Sequence, residues 1–355
     1  MPRINNLPKL DFHQVLIEPK RSNLNSRSEV DLLRTFTFQN GNTWTGVPII
    51  AANMSTTGTF EVYQTLQKHK MLTALHKFYT PDDFEKYREI CESNDAHVFD
   101  PDYFMVSTGI SERDYDRLCE ICKRIENIKW ICIDIANGYI PNMLDFCCRV
   151  RKEFPDKIIV AGNVATPDMV TTLCIEGGVD IIKAGIGGGS ACTTRLKTGV
   201  GMPQLSCIMD CGDAAHGVGK YIIGDGGITC PGDLSKAFCG GADFVMMGGV
   251  FAGHDENPGS MITKTIDGVP KQFKLFYGMS STHAMNTFYG GKNSYRASEG
   301  KVVEVPYKGA LDDTIEDYLG GLRSTCTYIG AKCVKHMSKC TTFILVGQQL
   351  NNIFK

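Results

Sequence analysis

Several absences narrow this sequence before any motif is read. No apolar run approaches the roughly 18 residues that span a bilayer. The opening MPRINNLPKLDFHQVLIEPKR has no uninterrupted apolar core of the kind a secretory signal needs. The expectation is a cytosolic chain whose fifteen cysteines stay reduced. Neither charge sign dominates, and a net charge of −2 gives no electrostatic footprint for nucleic acid or an anionic membrane. Metal-ligand spacing is missing too: beside Cys119-x-x-Cys122 there is no second CxxC and no HxxxH. That pair sits inside the charged run ERDYDRLCEICKRIENI, which reads as one helix rather than a zinc or redox site. Cys91, Cys132, Cys147, Cys148, Cys174 and Cys239 lie in apolar or helical stretches and read as small hydrophobes. Of the scattered histidines, His76 is the one expected near an active site. A Walker GK[ST] and a three-glycine dinucleotide fingerprint are both lacking, which excludes the commonest nucleotide folds.

What is present is a repeat of short apolar runs separated by amphipathic stretches. The runs are 47–54, 72–78, 103–109, 130–137, 157–164, 179–186, 221–228 and 242–249. Near-continuous apolar strands alternating with helices imply a parallel sheet covered by helices. Eight units at about 25-residue spacing match a closed (β/α)₈ TIM barrel better than an open sheet. Polar and glycine residues gather at the strand ends where such barrels build sites: Asn53, Lys77, Asp134, Asn163, 185–190, Asp225 and Gly248. The whole of 1–355 is expected to be a single catalytic domain. A long insertion at about 253–310 reads as a mobile flap over the barrel mouth.

The stretch AGIGGGSACTTRLKTGVGMPQLS (184–206) carries the chemistry. Glycine-rich backbone presents amide groups, and Cys192 follows at once, flanked by Ser190, Thr193, Thr194 and Arg195. An accessible cysteine near a cation and oriented amides favours the nucleophilic thiolate; a buried structural cysteine is the alternative. The last two strand ends read GDGGI (224–228) and MMGGVF (246–251). Paired glycines there suit a phosphate, with Asp225 accepting from ribose hydroxyls; simple tight turns are the alternative. In the flap, Tyr295, Arg296, Ser298 and Glu299 offer a carboxylate that a closing loop brings to the mouth.

The motifs GIGGGSACTTR, GVGMPQLS, DGGI, MMGG, YGMSS and YRASEGK resemble the family of inosine monophosphate dehydrogenase and GMP reductase, along nearly the whole chain. RASEGKVVEVPYKG is similar to the GMP reductase branch. The dehydrogenase branch usually inserts a CBS-domain pair after an early strand. Here the path from the second to the third strand is only about 25 residues, against roughly 100 or more for such domains.

The resemblance implies NADPH-dependent, irreversible reductive deamination of GMP to IMP and ammonia, through a thioimidate on Cys192. It implies a proton relay of Thr194 and Glu299. GMP contacts would come from Asp225, Gly226, Gly227, Gly248, Gly249, Gly278, Met279, Ser280, Arg296, Ala297, Ser298 and Gly300. For NADPH the matching positions are Lys77, Asp134, Ile135, Ala136, Ile186, Gly187 and Tyr295. Ser26, Arg27 and Ser324, Thr325, Cys326 and Thr327 also match, as contacts a neighbouring subunit of a homotetramer can supply. The carbonyls of Gly187, Gly189 and Cys192, with Arg195, resemble a potassium-binding turn. Two positions depart from the family: Gly188 replaces the usual proline of GIGPGS, and Ser55 replaces the usual aspartate after NM. NAD-dependent oxidation of IMP and a non-catalytic purine-nucleotide scaffold are the competing functions.

Overall fold

The computed structural model describes residues 4–94, 97–288 and 298–347. Eight parallel strands close into a barrel: β1 (Ile49–Ala51), β2 (Leu72–Leu75), β3 (Phe104–Thr108), β4 (Trp130–Asp134), β5 (Ile158–Val164), β6 (Ile181–Ala184), β7 (Tyr221–Asp225) and β8 (Phe244–Met247). β8 pairs with β1 and closes the ring. All eight expected strands are present; all but β5, which reaches the end of its run at Val164, stop short of it because the carboxyl end of the run turns into the site loops.

Each strand feeds a helix on the outside: α1 (Phe60–Lys68), α2 (Pro81–Ser93), α3 (Glu112–Arg124), α4 (Pro141–Glu153), α5 (Pro167–Ile175), α6 (Gln204–Gly217), α7 (Pro231–Cys239) and α8 (Leu311–Ile329). The sequence marks their starts. Proline opens α2, α4, α5 and α7, where its fixed φ suits a first turn that needs no N–H. Thr80 and Ser111 form capping boxes with Asp83 and Asp114.

Strand parity decides what faces the site. On β4, Trp130 and Cys132 join the barrel interior, while Ile131 and Ile133 pack against the helices. Continuing the two-residue alternation turns Asp134 inward. The same count on β6 (Ile181 in, Ile182 out) and β7 (Ile223 in, Ile222 out) turns Lys183 and Asp225 inward. The other end of the barrel is plugged by a hairpin, Arg34–Thr37 paired with Thr43–Gly46. Its Phe36 stacks on Phe244 with centroids 4.2 Å apart, and Trp44 meets Trp130 edge-on at 5.8 Å.

The described part of the insertion is not a plain loop. It holds an antiparallel sheet of Ile262–Ile266, Val269–Tyr277 and Val302–Pro306 and a helix, Thr282–Phe288. The Cys119/Cys122 pair lies within α3 as expected, and burial pushes the Cys122 thiol up to about 12. Cys91, Cys132, Cys147, Cys174 and Cys239 are buried. Cys148 corrects the reading: it is exposed, because the next position round α4 from buried Cys147 faces outward, where its thiol reaches the Glu176 carbonyl. Among the described residues no helix is long and apolar enough to cross a membrane.

Candidate active site

A cavity of about 500 Å³ opens at the carboxyl ends of the strands. Cys192 stands on its wall at the end of the β6 loop. Its Sγ–H donates to Thr194 Oγ1 (3.2 Å), and the Thr194 hydroxyl donates to Glu299 Oε2 (2.7 Å). Three residues from two distant segments thus form one hydrogen-bonded row.

Backbone pairing holds Glu299 there. Thr193 N–H donates to the Glu299 carbonyl (2.7 Å), Lys301 N–H to the Ala191 carbonyl (3.0 Å), and Gly300 bridges both Cys192 and Ser281. The crossing is too close for a side chain: a Cβ at Gly300 would sit 2.7 Å from Ser281 N. The loop is also tied from behind. Arg195 binds Asp11 (3.1 Å) and the Met202 carbonyl. Its guanidinium is therefore turned to Asp11 and Met202, and the partner that reaches Cys192 is Thr194.

Asp225 lies across the cavity, accepting from Asn163 Nδ2 (2.7 Å), with Lys183 Nζ 3.4 Å away. Lys183 also pairs with Asp134 and approaches Asn53 Oδ1 (3.4 Å). Burial disfavours the ammonium, but Asp134 and Asp225 outweigh it and push the Lys183 pKa up. Burial likewise opposes the Asp134 carboxylate, and Lys183 with Asn53 outweighs that and lowers its pKa. Beside Asp225, Gly226 and Gly227 take φ of +89° and +82°, which leaves bare backbone facing the glycine loop.

Of the expected substrate positions, Asp225, Gly226, Gly227, Gly248, Gly249, Gly278, Met279, Ser280 and Gly300 line this one cavity with Cys192, Thr194 and Glu299. Ser298 stands just outside, donating to the Ser280 or Gly300 carbonyl. Lys77, Asp134, Ile135, Ala136, Ile186 and Gly187 line it as well. Tyr295, Arg296 and Ala297 lie outside the described residues. Ser26 and Arg27 are exposed at a short 3₁₀ turn that packs on α8, away from this cavity. Ser324, Thr325 and Thr327 lie on α8 half-buried, and Cys326 points into the core, so its thiol offers no surface. In the cation turn, Gly187 and Gly189 line the cavity, and the Gly189 carbonyl accepts the Cys192 N–H (3.0 Å). Arg195 could join only through its carbonyl, which already accepts Gly199 N–H.

Two expectations change. His76 does not line the cavity; it stacks on Tyr79 at 3.9 Å, on the helix side of the strand, and burial lowers its pKa to about 4. Its neighbours Lys77 and Phe78 reach the cavity instead. Ser55, where the family's aspartate was expected, donates to the Tyr277 hydroxyl (3.1 Å) and touches Met279, so it ties β1 to the insertion without a charge. Lys183 and Asp11 escaped the sequence reading, though strand parity signals the first.

A model of the IMP dehydrogenase / GMP reductase domain matches residues 9–350. The chain belongs to the IMP dehydrogenase / GMP reductase family. Among its relatives it is 53% identical to "GMP reductase 2" of Homo sapiens, covering 100% of this chain and 99% of that one. It is 53% identical to "GMP reductase" of Photobacterium profundum, covering 99% of each. With "GMP reductase 1" of Mus musculus the identity is 52%, over the full length of both. These full-length relatives all carry the name GMP reductase. α2 and a short connection fill the path from β2 to β3.

Proposed function

We propose that this chain reduces GMP to IMP and ammonia with NADPH, through a covalent adduct on Cys192, as one catalytic domain. The observation that carries the reading is the row Cys192–Thr194–Glu299 on the wall of a cavity whose far side offers a carboxylate and bare glycine backbone. Full-length likeness to proteins named GMP reductase supports the substrate.

The amino group at purine C2 is a poor leaving group until it is protonated. The row gives a path for the thiol proton: from Cys192 through the Thr194 hydroxyl to Glu299. The thiolate adds to C2, forming the S–C2 bond and pushing an electron pair onto the ring nitrogen. Glu299, through Thr194, returns a proton to the amino nitrogen, the C2–N bond breaks, and ammonia leaves a thioimidate. The nicotinamide cofactor, when bound, supplies a hydride to C2. Collapse of that centre breaks the S–C2 bond, releasing IMP and the thiolate. One hard displacement becomes two easier ones. Gly227, Gly248 and Gly249 would present N–H groups to the 5′-phosphate, Gly226, whose own N–H bonds the Met246 carbonyl, would leave room for it, and Asp225 would accept from ribose hydroxyls.

The residues present suit the cofactor: Lys77, Asp134, Ile135, Ala136, Ile186 and Gly187 share the cavity with Cys192. Arg27 or Lys77 would favour the 2′-phosphate of NADPH. Exposed Ser26 and Arg27, with α8 nearby, would serve the cavity of a neighbouring subunit in a cytosolic homotetramer. Carbonyl oxygens of the Gly187–Cys192 turn suit a hard monovalent cation, and potassium is the ion we assign.

The test is direction. With GMP the protein should consume NADPH and release IMP and ammonia in equal amounts, and with IMP and NAD it should form no XMP. Steady XMP formation would move it to the dehydrogenase branch. Tight GMP binding without turnover would make it a scaffold.

A further inference from the structure

Lys183 is 1% exposed, and its ammonium sits between two carboxylates from different strands. Asp134 on β4 belongs to the cofactor half of the cavity under the reading above, and Asp225 on β7 to the substrate half. Apart from Lys77, the other groups shown at this cluster are neutral. Asn53 and Asn163 are amides, and burial pushes the Cys132 thiol up to about 12, so it stays protonated. The remaining cation, Lys77, also acts on Asp134, as a weaker influence than Lys183, and lies 3.9 Å from Asp114. Two acids brought together in a low-dielectric site cannot both remain ionised unless a cation stands between them.

We propose that Lys183 is a positioning residue, resting on the GMP reading: it keeps Asp225 and Asp134 ionised and aimed, one at each half of the cavity. Both are then acceptors for ribose hydroxyls at neutral pH. Without Lys183 the two acids share a proton, as close carboxylate pairs do. GMP affinity then depends on pH. It is present while Asp225 is ionised and is lost as pH falls through the raised carboxyl pKa.

The experiment measures GMP binding by calorimetry from pH 6 to 9, without cofactor, in the wild type, K183M, K183R and K183M/D134N. The wild type and K183R should bind with a flat profile. K183M should bind more weakly, its affinity falling roughly tenfold per pH unit below the raised pKa. K183M/D134N removes the second acid and should recover both the affinity and the flat profile. A K183M loss that is equal at every pH, and undiminished in K183M/D134N, would reduce Lys183 to a packing residue and overturn the proposal. Should K183M fail to fold, a flat wild-type-like profile in K183R and K183M/D134N supports it, and absent binding in both overturns it. A wild type that does not bind GMP overturns the functional reading instead.

Discussion

At the scale of single residues, the weight rests on a hydrogen-bonded row with one polar link per step. Glu299 has a backbone locked by Thr193 and a carboxylate that accepts from Thr194. Glu299→Gln keeps that shape and removes the proton acceptor. GMP reduction should fall about 10²–10⁴-fold, the range for general acid–base groups, while GMP binding changes little. Rapid-quench measurement of ammonia release against hydride transfer checks it: the loss belongs to the first. Near-normal turnover would leave Glu299 as a solvated charge. Cys192 stood out beside its glycine run and Glu299 as a flap carboxylate, but the link through Thr194 came only from the family resemblance. Lys183 was not, because a lysine inside VDIIKAGI looks like an interruption of an apolar run. Only the inward parity of β6, with Ile181 and Lys183 on one face, explains its burial.

At the scale of elements, the barrel strands were readable because strands covered on both faces are nearly all apolar. The insertion's sheet was not. Val269–Tyr277 is exposed along most of its length and carries Lys271 and Lys274, so burial gives it no continuous apolar signal. His76 was misplaced for a related reason: β2 ends at Leu75, and the turn that follows swings the ring onto Tyr79 on the helix side. That placement has a consequence for acid stability. Burial holds the folded imidazole near a pKa of about 4, against 6.5 in the unfolded chain, so the unfolded state binds the extra proton between those values. Stability is complete above about pH 6.5 and falls as pH drops through the window, by on the order of 3 kcal/mol. Urea titrations of His76→Phe should lack this share of the acid slope. An unchanged slope would place the loss elsewhere.

At the scale of the whole molecule, the two ends of the barrel divide the work. Aromatic packing of the Arg34–Gly46 hairpin closes one end, and the opposite end gathers Cys192 from the β6 loop, Asp225 from β7, Lys77 from the turn after β2, Asp134 from β4, and Glu299 from the insertion. No single segment holds all of them: closure of the ring brings the strand-end residues to one cavity, and backbone pairing with the β6 loop adds Glu299. The central claim is that Cys192 bonds to purine C2 and stays bonded to it after ammonia has left. With GMP and NADP⁺, which has no hydride to give, the reaction should stop at that adduct. Acid quenching followed by intact-protein mass spectrometry is the direct measurement. The wild type should gain the mass of GMP less ammonia, mapped to the peptide containing Cys192. Cys192→Ala should gain none, although it still binds GMP. An unmodified wild type that nevertheless turns over GMP, or a Cys192→Ala variant with undiminished turnover, would contradict the covalent mechanism.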